Sequence, residues 1–175
     1  MTSLARDSGD EPDTTRFVVN SRQNATVRLT MKEDRMLNNV IVPGKSLGGI
    51  RLGEEVGSVV ERLSGAHLIE QLDKNTLKVD GGVITIYLDS ESGRIASLAC
   101  NAEFQGNYQG KLWPGMTVGD VLKNTAAQMA WCGFVQVDGV KGMGLPLPDE
   151  FDDFERLTDF LDRDFIFNEL WVYSF

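Results

Sequence analysis

Apolar residues recur at helical spacing in two places along the chain and at strand spacing in several more. Val56, Val59, Val60 and Leu63 follow i, i+3, i+4, i+7, and Val118, Val121 and Leu122 follow the same spacing less completely, ending at Thr125. Each set predicts a short helix with one apolar stripe to lay on a sheet. Alternating or short continuous apolar runs predict strands over residues 76–79, 83–88, 95–100, 134–137 and 170–173. Asp80-Gly81-Gly82 and Asp89-Ser90-Glu91-Ser92-Gly93 read as hairpin turns between them, and Asp138-Gly139 after Val137 echoes Asp80-Gly81 after Val79. Behind Pro148, the residues Phe151, Phe154, Leu157 and Leu161 return at helical spacing and predict a third, amphipathic helix.

The two helix entries resemble one another. Residues 48–60 and 110–122 align at a constant offset of 62, with identities at Gly48/Gly110, Gly53/Gly115, Val56/Val118, Gly57/Gly119 and Val59/Val121. Gly53 and Gly115 fall where a strand must reverse into a helix, a place for positive φ or a close backbone approach. Thr117 is an N-cap residue, with Asp120 in capping-box position. Gly57 and Gly119 each cost a helix about 1 kcal/mol relative to Ala, so their recurrence predicts tight packing at that point. The expected fold class is α+β: two repeated helix-plus-antiparallel-meander halves, residues 36–104 and 105–175, packed as one domain, with the acidic helix inserted in the second half.

Ahead of these halves, residues 1–15 are polar and aperiodic and predict a disordered tail. Phe17-Val18-Val19 and the alternation from Thr26 to Met31 predict a small hairpin, and Lys32-Glu33-Asp34-Arg35 reads as a linker, so 1–35 form an extension. Residues 1–13 hold no apolar core of a secretory signal, and no apolar run approaches a membrane span, which makes a cytoplasmic location the expectation.

Charge changes the picture of partners. The 175 residues carry 17 Lys+Arg against 26 Asp+Glu, a formal net charge of −9, which disfavours nucleic-acid binding and suits a basic partner. Most of that charge is local: residues 149–164 hold eight acids and two bases. Within that stretch Asp149, Glu150, Asp152, Asp153 and Asp159 are candidate partner-contacting residues, with the phenylalanines turned to the core. Among the aromatics Trp113, Trp131, Trp171, Tyr108 and Tyr173, Trp113 sits before a Pro-Gly turn and is a candidate anchor, though capping the second helix is the commoner fate.

Chemistry-bearing motifs are sparse. His67, the single histidine, lacks a second metal ligand nearby in sequence and fits a structural role at a helix end. Cys100 and Cys132 read as small buried thiols, with neither disulfide framework nor CxxC spacing. Pro43-Gly44-Lys45-Ser46 lacks the earlier glycine of a phosphate loop and reads as a turn. No D-x-D-x-D-G loop points to calcium. No cofactor, metal site or catalytic set is expected.

The opening Gly48-Gly49-Ile50-Arg51-Leu52-Gly53, the run Tyr108-Gln109-Gly110-Lys111-Leu112-Trp113-Pro114-Gly115-Met116-Thr117 and the terminal Glu169-Leu170-Trp171-Val172-Tyr173 resemble small bacterial immunity proteins of polymorphic toxin systems, those of contact-dependent inhibition and type VI secretion. The resemblance covers residues 36–175. The duplicated strand–turn–helix–meander is also similar to the halves of a secreted β-lactamase-inhibitor protein and to small outer-membrane assembly lipoproteins, from which this chain departs in lacking a signal sequence and a lipidation cysteine. It implies a non-enzymatic binder whose partner is a cognate toxin domain, a nuclease being favoured because an acidic surface mimics phosphate; it assigns no binding residue and no oligomeric state. The alternative reading is a small-ligand-binding module or small enzyme using the cleft between the halves, with His67, Cys100 or the acids as reactive groups.

Overall fold

The computed structural model describes residues 36–151 and 153–175, and its regular structure is two antiparallel sheets and two short α-helices, an α+β arrangement. The tail, hairpin and linker expected over residues 1–35 lie outside the described residues. A three-stranded sheet comes first, of β1 (Ile41–Val42), β2 (Ser46–Leu47) and β3 (Ile50–Arg51). The Pro43-Gly44 segment is the turn between β1 and β2: Gly44 has φ +65° and Lys45 N–H donates to the Val42 carbonyl at 3.0 Å.

Helix α1 (Val56–Leu63) then leads into β4 (Ile69–Asp73), β5 (Thr76–Val79), β6 (Ile84–Leu88) and β7 (Ile95–Asn101). Helix α2 (Val118–Asn124) leads into β8 (Gln128–Trp131), β9 (Phe134–Val137), β10 (Met143–Pro146) and β11 (Glu169–Tyr173). All eight strands join one sheet in the order β4-β5-β6-β7-β11-β10-β9-β8. The last strand of each run meets the other at the centre, in register from Asn101↔Glu169 to Ser97↔Tyr173, and the first strand of each run is an outer edge.

Alternation explains which strands the sequence displays. Leu77 and Val79, Ile84 and Ile86, Leu98 and Cys100, Val135 and Val137, and Leu170 and Val172 are buried in one cluster with Val59 and Leu63 of α1 and Val118 and Val121 of α2. The edge strands lack that signature, because β4 is mostly exposed and β8 only half-buried at alternate residues. β10 lacks the pattern because it holds Gly144 and Pro146, and a Cβ at Gly144 would come within 2.8 Å of Phe134 Cβ, so glycine is what lets this strand sit beside β9.

The glycine turns behave as the chain reversal demands, with φ +75° at Gly53 and +86° at Gly115. The capping box is formed: Thr117 Oγ1 accepts from Asp120 N–H, and Asp120 Oδ2 accepts from Thr117 N–H, both at 3.0 Å. The paired helix glycines divide. Gly119 packs closely, its N–H donating to the Arg163 carbonyl at 2.8 Å, whereas nothing lies within 4 Å of a Cβ placed on Gly57. Tight packing is therefore found at one of the two.

The inserted acidic helix is a correction. Among the described residues between Pro148 and Leu161, the only helical geometry is a 3₁₀ turn at Leu157–Asp159. Aspartate side chains there bond to local backbone instead: Asp153 Oδ1 accepts from Phe154 N–H and Asp159 Oδ2 from Arg156 N–H, each at 2.8 Å. That competition, with like charges crowded along the segment, disfavours an α-helix. The apolar residues still reach inward, Leu157 and Leu161 buried and Phe151 and Phe154 packed against the core.

Candidate functional site

Residues that alternate with the core positions form the other face of the large sheet. Opposite one another across the strands lie Asp73, Thr76, Tyr87, Ser97 and Tyr173, and in the next row Glu70, Lys78, Thr85, Ala99, Trp171 and Gly144. Small residues at the centre (Ser97, Ala99 and Gly144) leave room for large rings from either side. Tyr87 stacks on Trp171 with centroids 4.6 Å apart, Trp171 meets Phe134 at 5.7 Å, and Phe134 stacks on Tyr173 at 4.8 Å. Such pairs contribute about 0.5–1.5 kcal/mol each beyond area burial.

The polar ends of these rings are fixed. Trp171 Nε1–H donates to Glu169 Oε2 at 2.8 Å. Tyr173 Oη accepts from Gln136 Nε2 at 2.9 Å and donates to the Met143 carbonyl. Burial first, and then the negative charges of Glu169 and Asp73, push the Tyr87 hydroxyl above its ordinary value. Burial likewise raises Tyr173.

Toward β8 the aromatic ladder opens into an apolar groove of about 250 Å³, lined by Met129, Trp131, Gln136, Gly139, Lys141 and Phe175. Three of its walls stand in solvent: Met129 is 47% exposed, Trp131 51% and Phe175 78%. Large exposed side chains next to one another are unusual on a surface with no partner. The signal was present in the sequence as Phe134-x-Gln136 and Trp171-x-Tyr173 alternation, but without the strand order nothing shows that these rings converge.

Elsewhere the polar side chains serve the frame. Half-buried His67, just past α1, has Nδ1 2.6 Å from Asp80 Oδ2, and its Nε2 accepts from Leu37 N–H at 3.2 Å. Both ring nitrogens are engaged, so the ring is a strut between the domain entry and the β5–β6 turn. Asp80 experiences desolvation that raises its pKa, outweighed by the His67 and Leu68 hydrogen bonds that hold it low. Asp138 occupies the matching place after β9, bonded to Lys111 Nζ at 2.6 Å and to Ala126 and Ala127 N–H, and the Lys111 bond above all holds its carboxyl down to about 2.

Asp149, Glu150, Asp153 and Asp159 are exposed, while Asp152 lies outside the described residues. Trp113 is half-buried against the core, its N–H donating to Met116 Sδ. The structure therefore does not bring Trp113 onto the aromatic face. Cys100 is buried as expected: its thiol donates to the Leu170 carbonyl, and desolvation pushes it up to about 12. The expectation for Cys132 is overturned, because it is exposed at the β8–β9 turn with φ +48°. Neither thiol is bonded to His67 in the structure.

Among the described residues no three His, Cys, Asp or Glu side chains gather as metal ligands, and no helix is long and apolar enough to cross a membrane. No protein-family model matches the chain, and neither does any curated protein or solved structure.

Proposed function

We propose that this chain is a binding protein that neutralises a cognate bacterial toxin domain, and that the open face of the eight-stranded sheet is its recognition surface. The carrying observation is the continuous aromatic surface from Tyr87 through Trp171, Phe134 and Tyr173 to the exposed groove of Met129, Trp131 and Phe175. Trp, Tyr and Phe are enriched in the anchors of protein interfaces, where a rigid ring buries large area at small entropic cost. A sheet holds Tyr87, Trp171, Phe134 and Tyr173 in place, since each of these rings is wedged by its neighbour and the Tyr173 hydroxyl and Trp171 indole are already bonded.

The two helix-plus-four-strand runs are read as a duplicated unit, which doubles the width of one sheet face and leaves its centre small-residue and ring-covered. The net charge of −9 and the exposed acids from Asp149 to Asp159 support a basic partner, with those acids steering encounter and the aromatic face holding the complex. The resemblance to immunity proteins supplies the toxin. Occlusion of its active site is the mode of neutralisation, with a nuclease the favoured class.

Co-expression tests this. The gene of the toxin domain should adjoin this one, and that domain should arrest bacterial growth when expressed alone and permit it with the chain present. The double variant Trp131→Ser, Phe175→Ser should lose protection while its thermal unfolding stays within a few degrees of wild type. Growth arrest in the presence of the wild-type chain would overturn toxin neutralisation. Protection by the folded double variant would move the surface elsewhere.

A further inference from the structure

We propose that the Tyr87–Trp171 stack is the seat of a cation, specifically an arginine guanidinium of the protein partner, held over the free face of the Tyr87 ring beside the Asp73 carboxylate, with the Glu169 charge behind the stack. This rests on the binding-protein reading and names the chemistry its partner must present. Trp171 is occupied on both sides, by Tyr87 and by Phe134, so the stack is closed toward β11 and its free end is the Tyr87 side, toward β5 and β4. On that side Asp73 and Thr76 share the cross-strand row of Tyr87. Glu169 is tied to the indole of Trp171 at 2.8 Å, so one of its oxygens holds the ring while its charge stays beside the stack.

Electrostatics point the same way. Tyr87 feels both carboxylates, and the face-on attraction of a cation to a tyrosine ring adds to theirs. The nearest cation on this face by register is Lys78, which lies directly opposite Glu70, with its alkyl chain lying alongside Gly82. The seat thus has a ring face, Asp73 and no cation in its row, and Glu169 adds negative field from behind the stack. A planar guanidinium fits better than an ammonium because it stacks on the ring and offers hydrogen bonds in its plane to a carboxylate at its edge. Charge complementarity therefore selects a basic protein segment as the occupant.

The probe is the peptide acetyl-Gly-Arg-Gly-Arg-Gly-amide titrated into the full chain, read by NMR at the Trp171 indole N–H, which Trp171→Phe identifies. The arginine peptide should shift that resonance saturably, with affinity falling as salt is raised. The citrulline analogue, which keeps the shape and loses the charge, should bind about tenfold more weakly, and the lysine analogue should fall between them. Asp73→Asn and Glu169→Gln, which keep the local hydrogen-bond acceptors, should each weaken the arginine peptide several-fold without changing unfolding temperature. Tyr87→Leu should abolish the indole shift.

Equal shifts from arginine and citrulline peptides would overturn the seat, as would unchanged binding in both acid variants. Shifts centred on residues 149–164 would overturn it too, by assigning the cation to the acidic segment. The readout is separate from growth protection: a chain that protects but shows no indole shift loses only the cation seat, and one that shows the shift but does not protect loses only the toxin reading.

Discussion

Asp80 and Asp138 share a backbone conformation that few side chains accept, each at φ +51° and each followed by a glycine at +70°. Aspartate tolerates the left-handed region because its short carboxylate bonds to nearby N–H groups, and here those groups are Leu68 N–H for Asp80 and Ala126 and Ala127 N–H for Asp138. The carboxyl of Asp138 titrates at about 2 when folded, against 3.8 for an ordinary aspartate. A lowered folded pKa stabilises above the unfolded value and loses that contribution as pH falls from about 4 toward 2. Asp138→Asn keeps the left-handed turn and the backbone acceptor but removes the charge. Its urea midpoint should therefore fall less steeply between pH 4 and pH 2 than that of wild type; parallel curves would refute the Lys111–Asp138 linkage. Cys132 is the contrasting case, since φ +48° there and +79° at Gly133 make a two-residue hairpin turn that favours Asn-Gly. Cys132→Asn should add about 0.5–1 kcal/mol by relieving left-handed strain, raising the melting temperature by about 1–4 °C.

At the scale of elements, helices α1 and α2 began from sequences that look alike and differ in what they touch. A Cβ on Gly57 meets open space, whereas one on Gly119 lies 3.4 Å from the Arg163 carbonyl and 3.5 Å from Thr117 Oγ1. Gly57→Ala should stabilise by about 0.5–1 kcal/mol through helix propensity alone. Gly119→Ala should give less or destabilise, because it crowds the capping box and the turn at Arg163. Denaturant midpoints of the two variants settle this, and equal gains would show that Arg163 gives way freely. The same pair shows what the sequence could reveal. Periodicity and turn chemistry marked both helices, the Thr117 cap, and β5, β6, β7, β9 and β11, because their apolar residues alternate into one core. It could not mark β4, which is mostly exposed, or β8, whose large apolar residues Met129 and Trp131 face solvent, nor β10, whose Gly144 reflects the approach of Phe134 across the sheet. It misread 149–161, where apolar spacing was helical but the aspartates favoured local backbone bonds. The aromatic face was hidden for a topological reason: Tyr87, Phe134, Trp171 and Tyr173 come together only because β7 pairs with β11.

For the whole molecule, charge and apolar contact should divide the work of association between rate and lifetime. Among the described residues the exposed acids Asp149, Glu150 and Asp153 make no ion pair, so they contribute little to the stability of the fold. Their field nonetheless extends about 8–10 Å at moderate ionic strength, which is the range over which a basic partner is steered. The triple variant Asp149→Lys, Glu150→Lys, Asp153→Lys should unfold within a few degrees of wild type. Its association with the toxin domain against which the chain protects should slow about tenfold at low salt, with the dissociation rate nearly unchanged. Trp131→Ala should do the opposite, leaving association near wild type and speeding dissociation, because anchors in interfaces act mainly on residence time. Surface plasmon resonance at two salt concentrations separates the effects. If the triple variant associates as fast as wild type at low salt, the acidic segment is a solvated surface and steering must come from Asp73, Glu169 and the remaining net charge of the chain.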